Sequence, residues 1–302
     1  MVQAASAADL LEGFWRTYLC ALKDTASEPA EAGISVSIVV FRTPFHQLKC
    51  AVESAFLALR VACLEACSKI TVVDNGDGSA HIREQLLPLI EQLEGFGCVL
   101  EFIHGHGNIG YGAAHNLAFE HGHRQTHVFM NADVELDPQV FVHGCAYLEE
   151  NPDVAMLSPE AFDDSGNRQF LCKRYPTVFD LFLRGFAPSF LKHLFSRRLA
   201  KYEMRGLSTR TASKDISIIS GCFMLCRSTT IQKVEGFDSS FFLYFEDFDL
   251  SLRVGCEAKL AYLPSMKIRH SGGNSARKGL SHILMFVRSG YRFFSLHGWR
   301  WI

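Results

Sequence analysis

The sequence predicts an α/β fold, with a mostly parallel, Rossmann-like central sheet that is covered by helices on both faces. Short uncharged runs rich in β-branched residues recur along the first half of the chain, beginning with SVSIVVF after Ile34. Helical stretches separate these runs, and small, polar or acidic residues follow each of them. Strands that alternate with helices require crossover connections, and such connections produce parallel strands that are buried on both faces.

Each element of the first half follows from its local pattern. The predicted strands are uncharged or nearly so, whereas the segments between them carry charged residues at helical spacing. We expect strands at 35–41, 69–74, 98–103, 127–130 and 154–158, and helices at 46–65, 81–94, 113–121 and 138–149.

The second half loses this alternation. Residues 216–227 are apolar around Gly221 and predict either a strand pair or one bent strand. A helix is expected at 246–255, two short strands at 259–263 and 266–269, and a final amphipathic helix at 279–296.

The composition is that of a globular protein with three expected parts. Hydrophobic residues make up 48% of the 302 residues and charged residues 21%, which is enough to form a sizeable core. We expect an N-terminal helical appendage and linker over residues 1–32, a main domain over 33–275 and a C-terminal amphipathic helix over 276–302.

The charge and the cysteines exclude several classes of protein. A net charge of -2 provides no basic field for nucleic acid. The ten cysteines form no C-x-x-C pair and fit a reducing compartment. The sequence has no pattern typical of a signal peptide and no uncharged apolar run long enough to span a membrane. A cytoplasmic protein is therefore expected.

A glycine turn follows the third predicted strand. Its letters, Gly105-His-Gly107-Asn-Ile-Gly110, match the dinucleotide fingerprint G-x-G-x-x-G, and Asp133 lies at about the distance of the ribose-binding acid. A NAD-dependent oxidoreductase is therefore one alternative. Against it, the fingerprint belongs to the first strand of such a fold, and Asp133 opens an acidic turn better suited to a cation.

Two separate segments contain residues typical of metal ligands. Asp133 follows the fourth predicted strand together with Asn131, and a carboxylate there suits Mg²⁺ or Mn²⁺. His270 ends a later strand and is followed by a glycine loop, a context that suits either a metal ligand or a phosphate contact. The remaining histidines of the first half are interpreted mainly as turn and surface residues: His104, His106, His115, His121, His123 and His127.

Adjacent carboxylates mark the start of the helix at 246–255. Glu246 and Asp247 follow the aromatic run FFLYF. The pair is either a plain helix cap, because the helix dipole favours anions there, or a general base in a partly dry site. Asp249 is expected to point away from the site and to be structural.

The stretch 177–202 combines phenylalanine with arginine and lysine. Such a segment suits contact with an acceptor or with an anionic membrane surface, and equally an ordinary amphipathic helix over the core. Both interpretations remain open from the sequence.

Taken in order, these segments resemble family two glycosyltransferases, and among them the rhamnosyltransferase-like branch. The matching segments are SIVVF, VVDNGDGS, GNIGYGAAHNLA, FMNADVELDP, ISGCFMLCRSTTIQKVEGFDSSFFLYFEDFDLSLRV and IRHSGGNS, which together span most of residues 35–275. The resemblance implies a GT-A fold, a nucleotide-diphosphate sugar donor (dTDP- or UDP-linked), a divalent cation and inversion at the transferred sugar. It also implies a saccharide or glycolipid acceptor in cell-surface polysaccharide or lipopolysaccharide synthesis, with rhamnose as the expected sugar. The inner membrane surface is an expected partner only through the stretch 177–202.

The resemblance also implies roles for individual residues. Asp247 matches the catalytic base, with Glu246 supporting the acceptor, and Asp133 and His270 match the metal ligands. The positions that match nucleotide and donor contacts are Thr43, Asp74, Asn108, Gly110, Asn116, Asn131, Ala132 and Gly221. Two features depart from the pattern: Asn131 stands where the family's D-x-D motif has its first acid, and the first strand leads into the bulky segment Phe41-Arg42-Thr43-Pro44.

Overall fold

The computed structural model describes residues 33–76, 79–272 and 280–302. The expected N-terminal appendage (1–32) and the expected boundary at residue 275 lie outside these residues. In the part of the chain that is described, no helix is both long and apolar enough to span a bilayer.

Twelve strands and ten α-helices are described over these residues. The strands are β1 (Ile34–Val40), β2 (Lys69–Asp74), β3 (Val99–Ile103), β4 (Thr126–Asn131), β5 (Val134–Leu136), β6 (Val154–Phe162), β7 (Arg168–Gln169), β8 (Cys172–Lys173), β9 (Ser213–Ile216), β10 (Ile218–Ile219), β11 (Phe223–Arg227) and β12 (Lys259–His270). The helices are α1 (Phe45–Val61), α2 (Ser79–Glu94), α3 (Tyr111–Glu120), α4 (Val140–Glu150), α5 (Val178–Gly185), α6 (Ser189–Leu194), α7 (Ser196–Tyr202), α8 (Ser228–Lys233), α9 (Glu246–Glu257) and α10 (Leu280–His297).

The central sheet confirms the predicted α/β class. Its strand order is β3-β2-β1-β4-β11-β6-β12-β5, with β7 and β9 paired to β6 and β12. Neighbours among β3, β2, β1 and β4 are parallel, as are β6 and β12, whereas β11 runs antiparallel between β4 and β6. The sheet is therefore mostly parallel, and its first four strands end at the same edge.

The core lies on both faces of the sheet, as the uncharged strands require. Every residue of β1 is buried. Val36, Ile38 and Val40 belong to the larger apolar cluster, while Val39 packs on the opposite face with Ala114 and Ala118 of α3.

Several expectations for the second half need correction. The two short strands expected at 259–263 and 266–269 are one strand, β12, whose pairing with β6 shifts register between Leu263 and Lys267. The segment 216–227 contains two strands, β10 and β11, as one of the two alternatives predicted. They do not pair with each other, because β10 pairs with β8 in a separate sheet and β11 pairs with β4 in the central sheet. The stretch 177–202 consists of three short helices.

Two of the six histidines interpreted mainly as turn and surface residues are fully buried. His115 of α3 and His127 of the neighbouring strand β4 meet the serines of β1, where Ser37 Oγ is 2.7 Å from His115 Nδ1 and 3.0 Å from His127 Nε2. Ser35 Oγ is 2.7 Å from the other nitrogen of His127. That part of the interpretation was wrong, because serine hydroxyls within a buried strand need polar partners.

Candidate active site

The residues predicted at the strand ends lie along one edge of the sheet. Val40 of β1 pairs with Asp74 of β2, and Val39 pairs with Asn131 of β4. The backbone N–H of Asn131 donates to Cys222 O at 2.9 Å, which places the turn before β11 beside the end of β4. Ligands of open α/β sheets bind at this carboxyl edge.

The two predicted metal ligands, Asp133 and His270, are adjacent. The short strand β5 pairs antiparallel with the end of β12, so that Val134 lies opposite His270. His270 Nε2 is 3.5 Å from Asp133 Oδ1, and the Ser271 amide donates to Asp133 O at 3.0 Å. Residues far apart in sequence therefore present a carboxylate and an imidazole to a common point.

Gln169 fixes the orientation of this imidazole. Its amide group donates to His270 O at 3.0 Å, and a carbonyl oxygen can only accept. Its Oε1 must then face His270 Nδ1, 2.7 Å away, so that Nδ1 carries the proton. In the neutral ring the Nε2 lone pair points toward the carboxylate, as in metal sites where a side chain orients a ligating histidine.

The facing lone pairs require a positive centre between them, either a second proton on the imidazole or a cation. Asp133 Oδ1 is buried without a hydrogen-bond partner. Burial raises the pKa of Asp133, but the His270 side chain 3.5 Å away outweighs this effect and holds the pKa below its usual value. The pair fits a divalent cation, which takes oxygen and imidazole ligands at about 2.1 Å.

Gly272 lies directly against this pair, and sequence reasoning did not single it out. A Cβ atom at this position would lie 1.9 Å from Asp133 Oδ2 and 3.0 Å from His270 Nε2. Only glycine allows the backbone to pass so close to both groups.

The predicted base, Asp247, lies in the first turn of α9 beside the turn before β11. Its Oδ2 accepts the Gly221 N–H at 2.9 Å, and its Oδ1 accepts the Phe248 N–H at 3.0 Å. A Cβ on Gly221 would lie 3.2 Å from Asp247 Cβ and 3.3 Å from the Tyr111 ring. This close approach gives Gly221 a packing reason to be glycine.

Glu246 and Asp247 differ in their electrostatic environment. Burial, and then the neighbouring Asp247, raise the pKa of Glu246 far above its usual value, and Glu246 Oε2 has no hydrogen-bond partner. Burial also raises the pKa of Asp247, but backbone N–H donors and the Arg184 guanidinium oppose this effect. We therefore assign the negative charge to Asp247 and the proton to Glu246, a division of roles found in acid–base sites.

Tyr111 connects the two halves of the site, although the sequence analysis gave it no role. Its hydroxyl lies 2.6 Å from Gly221 O and 2.8 Å from Asn131 Oδ1. The Asn131 side chain in turn helps to lower the pKa of Asp133. Burial raises the pKa of Tyr111, and the neighbouring acidic groups, Asp247 and Asp133 among them, raise it further.

The predicted nucleotide region contains one unused acceptor. Asp74 is buried, its Oδ1 accepts the Gly76 N–H at 2.9 Å, and its Oδ2 has no partner. Thr43 Oγ1 lies 3.4 Å from the Phe41 amide in the neighbouring loop. A buried carboxylate oxygen without a partner suits the N–H of a pyrimidine base.

The glycine turn is held by residues within the protein. Asn75 donates to Asn108 Oδ1 at 3.0 Å and to Gly110 O at 3.1 Å, and it accepts the Ile109 N–H at 3.1 Å. The Tyr111 N–H donates to Phe242 O at 3.0 Å. This first amide of α3 is thus engaged, unlike a helix N-terminus that is open to a pyrophosphate.

Three other residues have structural partners in this structure. The carboxamide of Asn116 bonds both the N–H and the C=O of Phe237, at 2.9 and 2.8 Å, so its donor-binding role stays a prediction. Ala132 is buried between Asn131 and Asp133. Asp249 is paired with Arg253 and His297, consistent with the structural role expected of it.

Comparison with known proteins identifies the family of this chain. The glycosyl transferase family 2 model matches residues 53–233, more than half of the chain. N-acetylglucosaminyl-diphospho-decaprenol L-rhamnosyltransferase of Mycobacterium tuberculosis is 25% identical over 253 residues, which are 79% of this chain and 78% of that protein. Rhamnosyltransferase WbbL of Escherichia coli is 23% identical over 236 residues, covering 74% and 81% of the two chains.

Solved structures share the fold at low identity. GalNAc-T7, crystallised with UDP, GalNAc and Mn²⁺, superposes with a TM-score of 0.61 at 14% identity over 87% of this chain. The match covers 47% of the GalNAc-T7 chain, about half of its length. Residues 1–349 of S. aureus TarS in complex with UDP match with a TM-score of 0.51 at 12% identity, over 87% of this chain and 72% of that one.

These matches give no support to the oxidoreductase alternative. The mixed sheet, the family match and the glycosyltransferase neighbours agree with one another. The chain has a GT-A fold and belongs to glycosyltransferase family 2.

Proposed function

We propose that this chain is an inverting, metal-dependent rhamnosyltransferase that uses a nucleotide-diphosphate sugar, with dTDP-rhamnose as the first donor to test. The juxtaposition of Asp133 with His270, joined through Tyr111 to Asp247, carries the proposal. The two rhamnosyltransferase relatives support the choice of sugar.

In this proposal each residue of the site has one task. Asp133 and His270 hold a divalent cation (Mg²⁺ or Mn²⁺), which when bound neutralises charge on the leaving diphosphate. Asp74 accepts a hydrogen bond from the pyrimidine base. Asp247 takes the proton of an acceptor hydroxyl, whose oxygen bonds to the anomeric carbon as the bond to diphosphate breaks on the opposite face. Neutral Glu246 orients the acceptor.

The acceptor is proposed to be a saccharide hydroxyl, free or lipid-linked, in cell-surface polysaccharide synthesis. The M. tuberculosis relative is named for a GlcNAc-diphospho-lipid acceptor, which makes a soluble analogue of that lipid the first acceptor to test. The protein would then work at the cytoplasmic face of the membrane.

The test compares the wild type with Asp247→Asn, with Mn²⁺ present throughout. We expect transfer of rhamnose to fall below detection, while the shift in melting temperature caused by dTDP-rhamnose persists, because the variant loses the base and keeps the donor site. Asp215→Asn, which changes an exposed carboxylate with no proposed role in the reaction, is the matched control and should retain activity. Turnover of Asp247→Asn at the wild-type rate would contradict the assignment, and stabilisation by NAD in place of dTDP-rhamnose would favour the oxidoreductase.

A further inference from the structure

Two of the helices of the stretch 177–202, α5 and α6, expose an apolar stripe. Phe182 and Phe186 lie four residues apart at the end of α5, and Phe190 and Leu194 lie four residues apart on α6, where they are 69% and 71% exposed. Side chains at this spacing lie on one side of their own helix. Two exposed apolar pairs on consecutive helices differ from apolar residues scattered singly over a surface.

The last helix, α10, exposes a second stripe. Phe286, Phe293 and Phe294 face the protein, and Phe293 and Phe294 are buried there. On the opposite side, Ile283, Leu284, Val287 and Tyr291 are between 40% and 71% exposed. A helix that is apolar on both faces needs a second apolar environment.

The two stripes lie on helices that contact each other. The rings of Phe186 and Phe286 are 6.2 Å apart, which joins the end of α5 to α10. The chain after α10 returns along the start of α5, where the Val178 and Phe179 amides donate to Arg300 O and Trp301 O at 2.8 and 3.2 Å. Trp299 and Trp301 stack on this surface, and both are exposed.

The charges of this surface are mostly positive, although Arg184, Arg198 and Arg292 are paired with Glu203, Asp180 and Asp238 of neighbouring segments. Residues 181–202 and 280–302 contain eight lysines and arginines and no aspartate or glutamate. The rest of the chain has 22 Lys and Arg against 32 Asp and Glu. A basic, apolar face with exposed tryptophan on an otherwise acidic protein complements an anionic lipid surface, where apolar side chains enter the acyl boundary and cations meet headgroups.

The same surface borders the candidate active site. Ser289 of α10 donates to Leu243 O at 2.8 Å, and Phe245, which directly precedes Glu246, packs on Phe286 and Phe293. Arg184 of α5 is close enough to Asp247 to influence its pKa. The base therefore lies about one helix diameter, roughly 10 Å, behind the exposed stripe.

We propose that the exposed faces of α5–α6 and α10 form one docking surface for an anionic bilayer. Docking there would present the base to hydroxyl groups close to the lipid headgroups. Binding to lipid does not require the reaction proposed above, so the two can be tested separately.

Flotation of the full chain with vesicles tests this surface without substrate. We expect the wild type to bind vesicles of equimolar phosphatidylcholine and phosphatidylglycerol and to leave them at high salt, with little binding to phosphatidylcholine alone. Phe190→Glu and Leu284→Glu should each lower the partition coefficient about tenfold. Lys192→Glu with Arg288→Glu should also weaken binding, whereas the matched control Leu57→Glu, 47% exposed on α1, should not.

Either of two results would overturn the proposal. One is an absence of binding to the anionic vesicles, or binding that the stripe variants leave unchanged while circular dichroism shows them folded. The other is a dimer in light scattering that Phe190→Glu and Leu284→Glu dissociate, without vesicle binding by the wild type. The second result would assign the surface to a second copy of the chain.

Discussion

Replacement of Tyr111 by phenylalanine tests whether the metal pair and the base act as one unit. The hydroxyl has one proton and two acceptors, Gly221 O at 2.6 Å and Asn131 Oδ1 at 2.8 Å. Removal leaves at least one buried acceptor without a donor, which costs about 1–3 kcal/mol. The ring itself should stay in place, because it packs edge-on against His115 at 4.5 Å and against Phe237 at 6.3 Å.

The catalytic effect should exceed the effect on donor binding. Gly221 positions Asp247 through its N–H while Tyr111 holds its carbonyl, so loss of the hydroxyl loosens the residue whose N–H orients the base. Small displacements of a catalytic group cost up to about 100-fold in rate, and we expect kcat to fall about 10- to 100-fold. The KM for the sugar nucleotide should change by about threefold or less, because most donor contacts are proposed elsewhere.

The measurement is steady-state transfer together with urea unfolding, with Tyr291→Phe, 66% exposed, as the matched control. A Tyr111→Phe protein with unchanged kcat and unchanged stability would refute the proposal that the Tyr111 hydroxyl connects the metal pair to the base. A loss of stability with unchanged kcat would make Tyr111 a packing residue only.

Two further predictions concern His270 and the buried histidines. Gln169→Leu removes the acceptor that orients His270, so affinity for Mn²⁺ should fall about 10- to 100-fold in a titration, while Gln139→Leu, on an exposed turn, should bind as the wild type does. Equal affinities would refute that role. Burial lowers the pKa of His115 to about 3 and that of His127 far below its usual value, so the unfolded chain binds more protons below the ordinary histidine pKa of about 6.5. The free energy of unfolding should therefore fall by about 1.4 kcal/mol per imidazole between about pH 7.5 and pH 5.5, and His115→Gln should remove about half of the total; a slope unchanged by the substitution would contradict this.

The sequence allowed the location of the site at one edge of the sheet to be predicted, because neighbouring parallel strands run in the same direction and end at the same edge. Once β1, β2 and β4 were identified from their uncharged runs, Asp74 and Asn131 had to lie at the same edge, and they do. The carboxylate pair at the start of α9 was predicted from its position after the aromatic run.

The remaining partners could not be predicted, because they depend on pairing over long distances. Asp133 meets His270 only through β5, a three-residue strand within what the sequence suggests is an acidic turn. Gln169 reaches His270 from a two-residue strand, and no local pattern marks it. His115 and His127 did have a signal that was missed: Ser35 and Ser37 alternate within a buried strand, and hydroxyl groups there require polar partners.

The backbone before the base shows why α10 belongs to the site. Tyr244 and Phe245 have φ angles of 70° and 66°, a left-handed conformation that costs about 1–2 kcal/mol for each such residue. The contacts of Phe245 with Phe286 and Phe293, and the bond from Ser289 to Leu243, offset this cost and hold the turn that places Asp247. The C-terminal amphipathic helix expected from the sequence, α10, packs against the turn that leads to the base. A force that moves α10, such as insertion of its outer face into lipid, would therefore act directly on the position of the proposed base.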